Sequence, residues 1–533
     1  MPRWVTVMAA EELPRDRPVT VRVNERDLAL ADCSQEGCGP HLLENRCPHR
    51  GGQLGDGSVR GDDIVCPLHG YDFDLHTGIS RYDPAERVAV YAARIHDGEV
   101  QVDAEQVPPL PRDHDAGYLA RWARPHDAGL RAYEYLQGLS SGRPPVSAMG
   151  TSLPLRPSWE DVLLLPAQLA RQPLLDSEEV SLTTIIGRRA ERPLVLALPF
   201  YISHMSFGAL SAPAKAALGR LSSELDTAIG SGEGGMLPDE RSASRHYIFE
   251  MASGYFGWGE EAVRGADAVE IKFGQSAKAG SGGLLPAEKV TPRIAQVRGL
   301  APGEAAHSPS RFVDIRGSAE LRARVEQIRE WLEGGPVGIK FAAGRVEEDL
   351  DAALEAGCDF VTIDGRGGGT GAAPEVLKDN LTIPIQYALH RARAHLRRRG
   401  AESVDLVAAG GFRSSGDVAK ALALGASAVA LATASMIAIG CQQYLACHTG
   451  NCPVGIATQR ADLEARLDIE RSAGRGLLAF RAFAEELVMI ARAVGVADVH
   501  DLAPGDLATL DAGLAAYAEI RHAGEPARAA GDA

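Results

Sequence analysis

The sequence predicts an α/β protein in which a large barrel follows a small all-β domain. Residues 1–105 contain short alternating stretches such as VTVRV and EVQVD between Gly and Asp turns, which is typical of small antiparallel sheets. From residue 161 onwards, apolar runs alternate with helical patterns, which indicates parallel βαβ units. Because this alternation continues over about 270 residues, it favours a (β/α)8 barrel of the TIM type over an open sheet.

The predicted barrel strands are apolar along most of their length, as strands covered on both faces are. They are PLVLALPF (193–200), AVEIKFG (268–274), PVGIKFA (336–342), DFVTIDG (359–365), VDLVAAGG (404–411) and SAVALAT (427–433). We expect five segments along the chain: an all-β domain at 1–105, a proline-rich linker at 106–160, the barrel at 161–460, a helical extension at 461–520 and a disordered tail at 521–533. The extension is expected to pack on the barrel or to form a contact in a homo-oligomer.

Charge and hydropathy argue against two classes of partner. The chain has 71 acidic and 55 basic side chains, and its formal net charge of -16 repels phosphate backbones, so we expect no nucleic-acid partner. No apolar run reaches the 18 or more residues of a spanning helix, so we expect no membrane partner. The start MPRWVTVMAAEELPRD lacks the pattern of an export signal, which predicts a cytoplasmic location.

Two cysteines and two histidines form the first group of candidate metal ligands. CPHRGGQLGDG places Cys47 and His49 in one loop, and CPLHGYDFDLHTG places Cys66 and His69 in a second. Four such ligands can hold zinc. The order Cys-His then Cys-His, with one pair on each loop, favours instead a cluster in which two thiolates hold one iron and two imidazoles hold the other.

This arrangement resembles the Rieske motif, and the resemblance covers about the first 100 residues. It implies a [2Fe-2S] cluster bound by Cys47, His49, Cys66 and His69. Cys33 and Cys38 lie outside the motif, and we expect them to be plain thiols.

Three further cysteines form a second group of candidate metal ligands. CQQYLACHTGNCPVGIATQ (441–459) contains Cys441, Cys447 and Cys452, with no fourth cysteine nearby. Cysteines this dense in a chain without export signals indicate a metal site. Structural zinc and most iron–sulfur clusters, however, use four protein ligands.

Glycine-rich segments follow several predicted strands. Barrels place their sites at the carboxyl ends of strands and bind phosphate after strands seven and eight, and glycine lets the backbone approach a ligand closely. The candidate phosphate-binding residues are therefore Gly410, Gly411, Ala432 and Thr433.

Residues 150 to about 500 resemble the FMN-binding domain of the glutamate synthase family. The shared segments include SFGALS (206–211), GEGG (232–235), IKFGQSAKAGSGGLLPAEKV (271–290), DGRGGGTGAAP (364–374), AAGGFRSSGD (408–417) and the three-cysteine segment. The resemblance implies a barrel that binds FMN, and a [3Fe-4S] cluster on Cys441, Cys447 and Cys452. It also implies reduction of an imine formed from 2-oxoglutarate and ammonia, which yields glutamate.

The same resemblance assigns roles to individual residues. The residues implied for the flavin pocket are Ser206, Lys272, Gln275, Lys340, Gly368 and Gly369. Cations there can stabilise the negative charge of a reduced flavin. The residues implied for catalysis are Glu233, Lys278 and Arg298, of which the two cations suit a substrate carboxylate and Glu233 suits the proton or the amine.

Some positions depart from the family pattern. Ser281 stands where the family typically has glutamate, and Leu284 stands where it has a glutamine that contacts substrate. Loss of that amide should weaken 2-oxoglutarate binding and favour a less polar substrate. Pro2 also replaces the N-terminal cysteine of the glutaminase domain in larger members, so we expect no glutaminase activity and a nitrogen donor such as ammonia, an amine or the product of another subunit.

The favoured hypothesis is an FMN- and iron–sulfur-dependent oxidoreductase that reduces an imine of a 2-oxo acid. Electrons would come from a ferredoxin or a reductase and enter through the Rieske centre. One alternative is a related flavin enzyme that acts on another amino acid, an amine or an N-substituted substrate. A second is an electron-transfer subunit with no substrate of its own.

Overall fold

The computed structural model describes residues 2–15, 17–33, 39–48, 51–67, 70–81, 84–109, 128–140, 142, 145–285, 287–301 and 303–526. Its contacts divide the chain into two compact units, residues 1–143 and 144–533. Each unit has a hydrophobic core of its own.

The first unit consists mainly of short antiparallel strands, which confirms the predicted all-β domain. Its four-stranded sheet has the order Val19–Val23, Arg26–Asp32, Pro40–Glu44 and Val90–Tyr91. Its two three-stranded sheets are Trp4–Ala9 with Glu99–Asp103 and Ala93–His96, and Ser58–Arg60 with Asp63–Val65 and Asp72–Asp74. The helix Ala128–Ser140 also belongs to this unit.

Eight parallel strands form a closed barrel in the second unit, as predicted. In order they are β1 (Phe200–Ile202), β2 (Ala228–Gly230), β3 (His246–Ala252), β4 (Ala268–Lys272), β5 (Val337–Ala342), β6 (Phe360–Asp364), β7 (Asp405–Ala409) and β8 (Ala428–Leu431). β8 pairs with β1, so the sheet has no free edge. Strands β4 to β8 are buried along almost their whole length, which explains their apolar sequences.

The prediction of a barrel strand at 193–200 is wrong. Leu194–Leu196 forms an antiparallel hairpin with Thr184–Ile186, and β1 begins only after Pro199. The hairpin packs on the first residues of β2, β4, β6 and β8 and so covers the amino-terminal end of the barrel. Sequence patterns also missed β2, which has only three residues, and β3, whose apolar run is interrupted by Glu250.

Helices connect successive strands. They are Ala212–Glu224, Pro238–Ala243, Glu260–Arg264, Pro292–Arg298, Ser318–Trp331, Val346–Ala356, Glu375–Asn380, Ile385–Arg398 and Ser415–Ala423. Two short antiparallel pairs lie in the loops: Val146–Ser147 with Ala373–Pro374, and Leu284–Leu285 with Ala306–His307.

The C-terminal extension packs on the barrel. After the helices Thr433–Ile439 and Ala461–Glu464, the long helix Ile469–Val494 begins at the Asp468 cap and lies against Ala212–Glu224. The ring centroids of Phe480 and Phe200 are 5.3 Å apart.

The last described residues complete a small sheet. Leu507–Thr509 pairs with Val162–Leu164 and with Arg521–His522. Along the chain, the helix Ala512–Tyr517 lies between Leu507–Thr509 and Arg521–His522. The predicted disordered tail is therefore wrong for Arg521 and His522. In the described part of the chain, no helix combines the length and apolar character needed to cross a membrane.

Candidate functional site

Charged side chains occupy the interior of the barrel. Glu250 on β3, Glu270 and Lys272 on β4 and Lys340 on β5 are all less than 10 % exposed at their side chains. Residues two apart on a strand point to the same side, so Glu270 and Lys272 share the inner face. Glu250 and Glu270 were not among the residues predicted from the sequence, although a carboxylate inside an apolar strand was a visible signal.

Lys272 pairs with two carboxylates. Its Nζ lies 2.8 Å from Glu233 Oε2 and 3.2 Å from Glu250 Oε1. Burial opposes the charge on this amine, but the two carboxylates outweigh it and raise the pKa of Lys272. Lys272 therefore stays an ammonium at neutral pH.

Glu233 lies in the loop after β2, among three predicted site cations. Its Oε1 is 3.9 Å from Lys278 Nζ. Burial alone would raise the pKa of Glu233, but the charges of Lys272, Lys278 and Arg298 lower it to about 2. Glu233 is therefore a carboxylate at neutral pH, which suits an acceptor for an amine more than a proton donor.

Glycine makes room for the Glu233 carboxylate. A Cβ at Gly283 would lie 2.1 Å from Glu233 Oε1. Gly283 belongs to the glycine-rich segment that begins after Lys278. This segment therefore lies against the Glu233 carboxylate.

Arg298 lies at the end of the helix Pro292–Arg298 and is buried. Its Nη2 donates to Phe207 O at 2.8 Å, and its guanidinium lies 5.0 Å from the centre of the Phe256 ring. Its Nε has no hydrogen-bond partner among the described residues. Burial lowers the pKa of Arg298 and of Lys278, and Glu233 opposes both shifts. Two of the predicted catalytic residues, Lys278 and Arg298, thus lie near the carboxylate of the third, Glu233.

A second charged group lies deeper in the barrel. His204 Nε2 is 3.1 Å from Glu270 Oε1, and Lys340 Nζ is 3.7 Å from the same oxygen. The Thr362 hydroxyl donates to the other Glu270 oxygen. Burial would raise the pKa of Glu270, but His204 and Lys340 lower it to about 2. Sequence reasoning did not identify His204 as part of this group.

The predicted flavin residues Ser206 and Gln275 lie in loops at the carboxyl ends of strands. Ser206 follows β1, and its carbonyl accepts from Ala209 N at 3.1 Å and Leu210 N at 3.0 Å. Gln275 directly precedes the 3-10 turn Ser276–Lys278. Both therefore lie at the barrel end where sites form.

Most glycines of the candidate site allow close contacts between loops, whereas the sequence predicted that they let the backbone approach a ligand. A Cβ at Gly410 would lie 2.5 Å from Gly365 O, and one at Gly411 would lie 2.9 Å from Gly367 O. A Cβ at Gly368 would lie 2.2 Å from Ser276 Oγ, whereas Gly369 has only looser neighbours. Gly368, Gly410 and Gly411 thus allow the loops after β4, β6 and β7 to touch one another.

The loop after β8 contains the last two predicted phosphate-binding residues. Ala432 follows β8 directly, and Thr433 begins the helix Thr433–Ile439. This is the position at which the predicted phosphate site and the three-cysteine segment meet along the chain.

The three clustered cysteines line one cavity. Cys441, Cys447 and Cys452 are free thiols there, next to Met149 and Val454. Burial, together with the neighbouring thiolates, raises the pKa of Cys447 to about 12. Ionisation of thiols so close together needs a cation between them, so this donor set fits an iron–sulfur cluster.

The two Rieske-type loops have the same backbone turn. Gly51 N donates to Cys47 O at 2.8 Å, and Gly70 N donates to Cys66 O at 3.0 Å. Cys47 N in turn donates to Gly52 O at 2.8 Å, and Cys66 N donates to Tyr71 O at 2.7 Å. Cys47 and Cys66 are buried, and both fit as thiolate ligands.

Part of this centre lies outside the described residues, namely the predicted ligands His49 and His69. Cys38 also lies outside them. Cys33 is disulfide-bonded, which corrects the expectation of a plain thiol there.

Family models match both parts of the chain, and the curated relatives are glutamate synthases or similar to them. Residues 160–497 match the conserved region in glutamate synthase, and residues 3–92 match the Rieske [2Fe-2S] domain. The chain is 37% identical over 391 residues to a glutamate synthase large subunit-like protein of Rhizobium meliloti (strain 1021), covering 69% of this chain and 88% of the relative. It is 35% identical over 431 residues to the archaeal-type glutamate synthase [NADPH] of Thermotoga sp. (strain RQ2), covering 76% and 84%.

A third relative and a solved structure extend the comparison. The archaeal glutamate synthase [NADPH] of Methanocaldococcus jannaschii is 40% identical over 314 residues, which cover 58% of this chain and 61% of the relative. The oxidized active mutant of (S)-mandelate dehydrogenase shares 15% identity at a TM-score of 0.45, covers 66% of this chain and 88% of its own, and is too distant to support an argument. The N-terminal region that matches the Rieske [2Fe-2S] domain precedes the region that matches glutamate synthase. The chain therefore belongs to the glutamate synthase family and is an oxidoreductase acting on CH-NH2 groups.

Proposed function

We propose that this chain reduces an imine formed from a 2-oxo acid and ammonia, with 2-oxoglutarate giving glutamate as the reference reaction. One observation supports this proposal above the others. Glu233 is a carboxylate that is only 15 % exposed and has a pKa of about 2, and Lys272, Lys278 and Arg298 lie around it. This arrangement offers both signs of charge that the reactants need, since a 2-oxo acid is an anion and its nitrogen partner is a cation or an imine.

Each charged group has a role in the proposal. Lys278 and Arg298 hold the carboxylate groups of the substrate, and the Arg298 Nε that has no partner among the described residues supplies one donor. Glu233 accepts a hydrogen bond from the substrate nitrogen and orients it. Lys272 keeps Glu233 ionised through the 2.8 Å ion pair.

The loops at the carboxyl ends of the strands fit FMN. The side chains of Lys272 and Lys340 are less than 10 % exposed, and the loops that carry Gly368, Gly410 and Ala432 follow β6, β7 and β8 at the carboxyl end of the barrel. FMN, when bound, supplies a hydride to the carbon of the C=N bond. In the balanced reaction the imine takes up that hydride and one proton and becomes an amine.

Two iron–sulfur clusters complete the proposal. Cys441, Cys447 and Cys452 are the ligands of a [3Fe-4S] cluster, and Cys47 and Cys66, with His49 and His69, are the ligands of a [2Fe-2S] cluster. We propose that electrons from a ferredoxin or a reductase enter through the Rieske centre. We propose a cytoplasmic location, since cysteines that bind metal clusters are typical of reducing compartments.

Free ammonia or an amine is the proposed nitrogen donor, without glutamine hydrolysis by this chain. A second candidate function is a related reaction on another amino acid, amine or N-substituted substrate. The presence of Leu284 and Ser281 favours this candidate, since neither supplies the polar group that the family pattern has there. A third candidate is an electron-transfer subunit, which would have no use for Glu233, Lys278 and Arg298 together.

A steady-state assay with anaerobically purified protein tests these candidates. Reduced ferredoxin is the electron donor, and amino-acid formation is measured with a panel of 2-oxo acids and with ammonia, methylamine or glutamine as the nitrogen source. The proposal expects turnover with 2-oxoglutarate and ammonia and none with glutamine. Turnover with a less polar oxo acid would establish the second candidate, and no turnover despite full cofactor content and rapid electron transfer would establish the third.

A further inference from the structure

The buried amine of Lys215 joins two loops of the candidate site. We infer that Lys215 is a positioning residue whose ammonium fixes the loop after β1, which carries Ser206, against the loop after β2, which carries Glu233. The inference rests on the proposed function, because that function requires a defined position for Glu233.

Three acceptors surround the Lys215 ammonium. Lys215 lies on the helix Ala212–Glu224 and is only 1 % exposed. Its Nζ donates to Met205 O at 2.6 Å and to Ser231 O at 2.8 Å, and it lies 2.6 Å from Glu240 Oε1. Two of the three ammonium protons are therefore donated to backbone carbonyls, and the Glu240 carboxylate forms an ion pair with the amine.

The two carbonyls belong to the loops that carry site residues. Met205 directly precedes Ser206, and Ser231 is two residues before Glu233. The loops touch at Gly232, where φ is +74° and a Cβ would lie 2.3 Å from Ser206 N. The positions of the two loops therefore depend on each other, and the hydrogen bonds of the Lys215 amine fix both loops at this contact.

The ion pair with Glu240 is a separate contribution. Glu240 is fully buried, and Tyr247 OH donates to its Oε2 at 2.8 Å. Loss of Lys215 alone would leave the Glu240 carboxylate buried without its cation, which is destabilising by itself. A test of positioning must therefore remove the amine without leaving that charge behind.

Two variants separate these contributions. Glu240→Gln removes the carboxylate and leaves the Lys215 amine on both carbonyls. The double variant Lys215→Met/Glu240→Gln removes the amine and leaves no unpaired charge. We expect similar melting temperatures for the two variants, faster amide hydrogen exchange in residues 204–207 and 230–234 of the double variant only, and a loss of about tenfold to a hundredfold in kcat/KM for the oxo acid in that variant.

Lys420→Met provides the control. Lys420 Nζ donates to Trp159 O at 2.7 Å, away from the loops after β1 and β2, so its loss should change neither the exchange of those loops nor kcat/KM. Exchange in the double variant as slow as in Glu240→Gln would overturn the loop contact. Faster exchange with kcat/KM equal to that of Glu240→Gln would overturn the positioning role.

The measurements also separate this inference from the proposed function. If the wild-type chain does not form an amino acid, the proposed function fails. The exchange data, with the visible circular dichroism of any bound flavin, then still decide whether Lys215 holds the two loops.

Discussion

Lys272 and Glu233 form a largely buried ion pair at the centre of the candidate site, with 2.8 Å between Nζ and Oε2. The same amine lies 3.2 Å from Glu250 Oε1, so one lysine pairs with two carboxylates. This pair links β4 to the loop after β2 and determines the charge of Glu233. Both the stability of the barrel and its proposed chemistry therefore depend on it.

Lys272→Met should destabilise the protein strongly. The substitution leaves Glu233 and Glu250 buried without their shared cation, which typically costs about 3–5 kcal/mol in the free energy of unfolding. Denaturant unfolding measures the change. Arg293→Gln is the control, because it breaks an exposed ion pair with Asp239 and should cost only about 0–1 kcal/mol. Equal losses in the free energy of unfolding for the two substitutions would show that the Lys272 ion pairs do not stabilise the barrel as proposed.

The ionisation of Glu233 should appear in the pH dependence of stability. Its pKa is about 2 in the folded chain, against an ordinary value of 4.5 for a glutamate carboxyl. A lowered folded-state pKa adds stability above pH 4.5, and this contribution is lost as the pH falls towards 2. Its full size is about 3 kcal/mol at neutral pH. Glu233→Gln should remove this contribution from the slope of unfolding free energy against pH, whereas the contribution of Glu270, whose pKa is also lowered to about 2, remains. An unchanged slope would show that Glu233 does not titrate in this range.

Cys447→Ser should remove the three-iron cluster and leave the Rieske cluster in place. Iron content should fall from about five to about two atoms per chain, and the electron paramagnetic resonance signal of the oxidised [3Fe-4S] cluster should disappear. Cys358→Ser is the matched control, since Cys358 is another buried free thiol, with a pKa raised to about 12 by burial. Equal iron loss in both variants would contradict the ligand assignment.

Cys66→Ser should block electron entry without removing the substrate site. We expect reduced ferredoxin to lose its ability to reduce the flavin in this variant, whereas dithionite reduces it directly. Stopped-flow absorbance at the flavin band compares the two donors. Ferredoxin-driven reduction at the wild-type rate would show that electrons do not pass through the Rieske centre.

The fold could be predicted from the sequence because buried parallel strands leave continuous apolar runs, as β5 to β8 do. The short β2 and the Glu250-containing β3 left no such run and were missed. Glu233, Lys278 and Arg298 are distant in sequence, and only the family resemblance placed them in one site. His204, Glu250 and Glu270 were missed because their meeting depends on strand register, which hydrophobic patterns do not reveal. The glycine segments were recognised, but the backbone contacts of Gly410 and Gly411 became visible only in the fold.

The most direct test of the proposed reaction is a single turnover of the reduced protein. Anaerobically reduced protein is mixed with 2-oxoglutarate and ammonia, and flavin absorbance and glutamate are followed together. The proposal predicts flavin reoxidation with one glutamate for every two electrons lost from the flavin and the clusters, and a rate about a hundredfold lower for Glu233→Gln because the substrate nitrogen loses its acceptor. Reduced protein that stays reduced with every oxo acid and nitrogen donor, yet is reoxidised by ferricyanide, would contradict it.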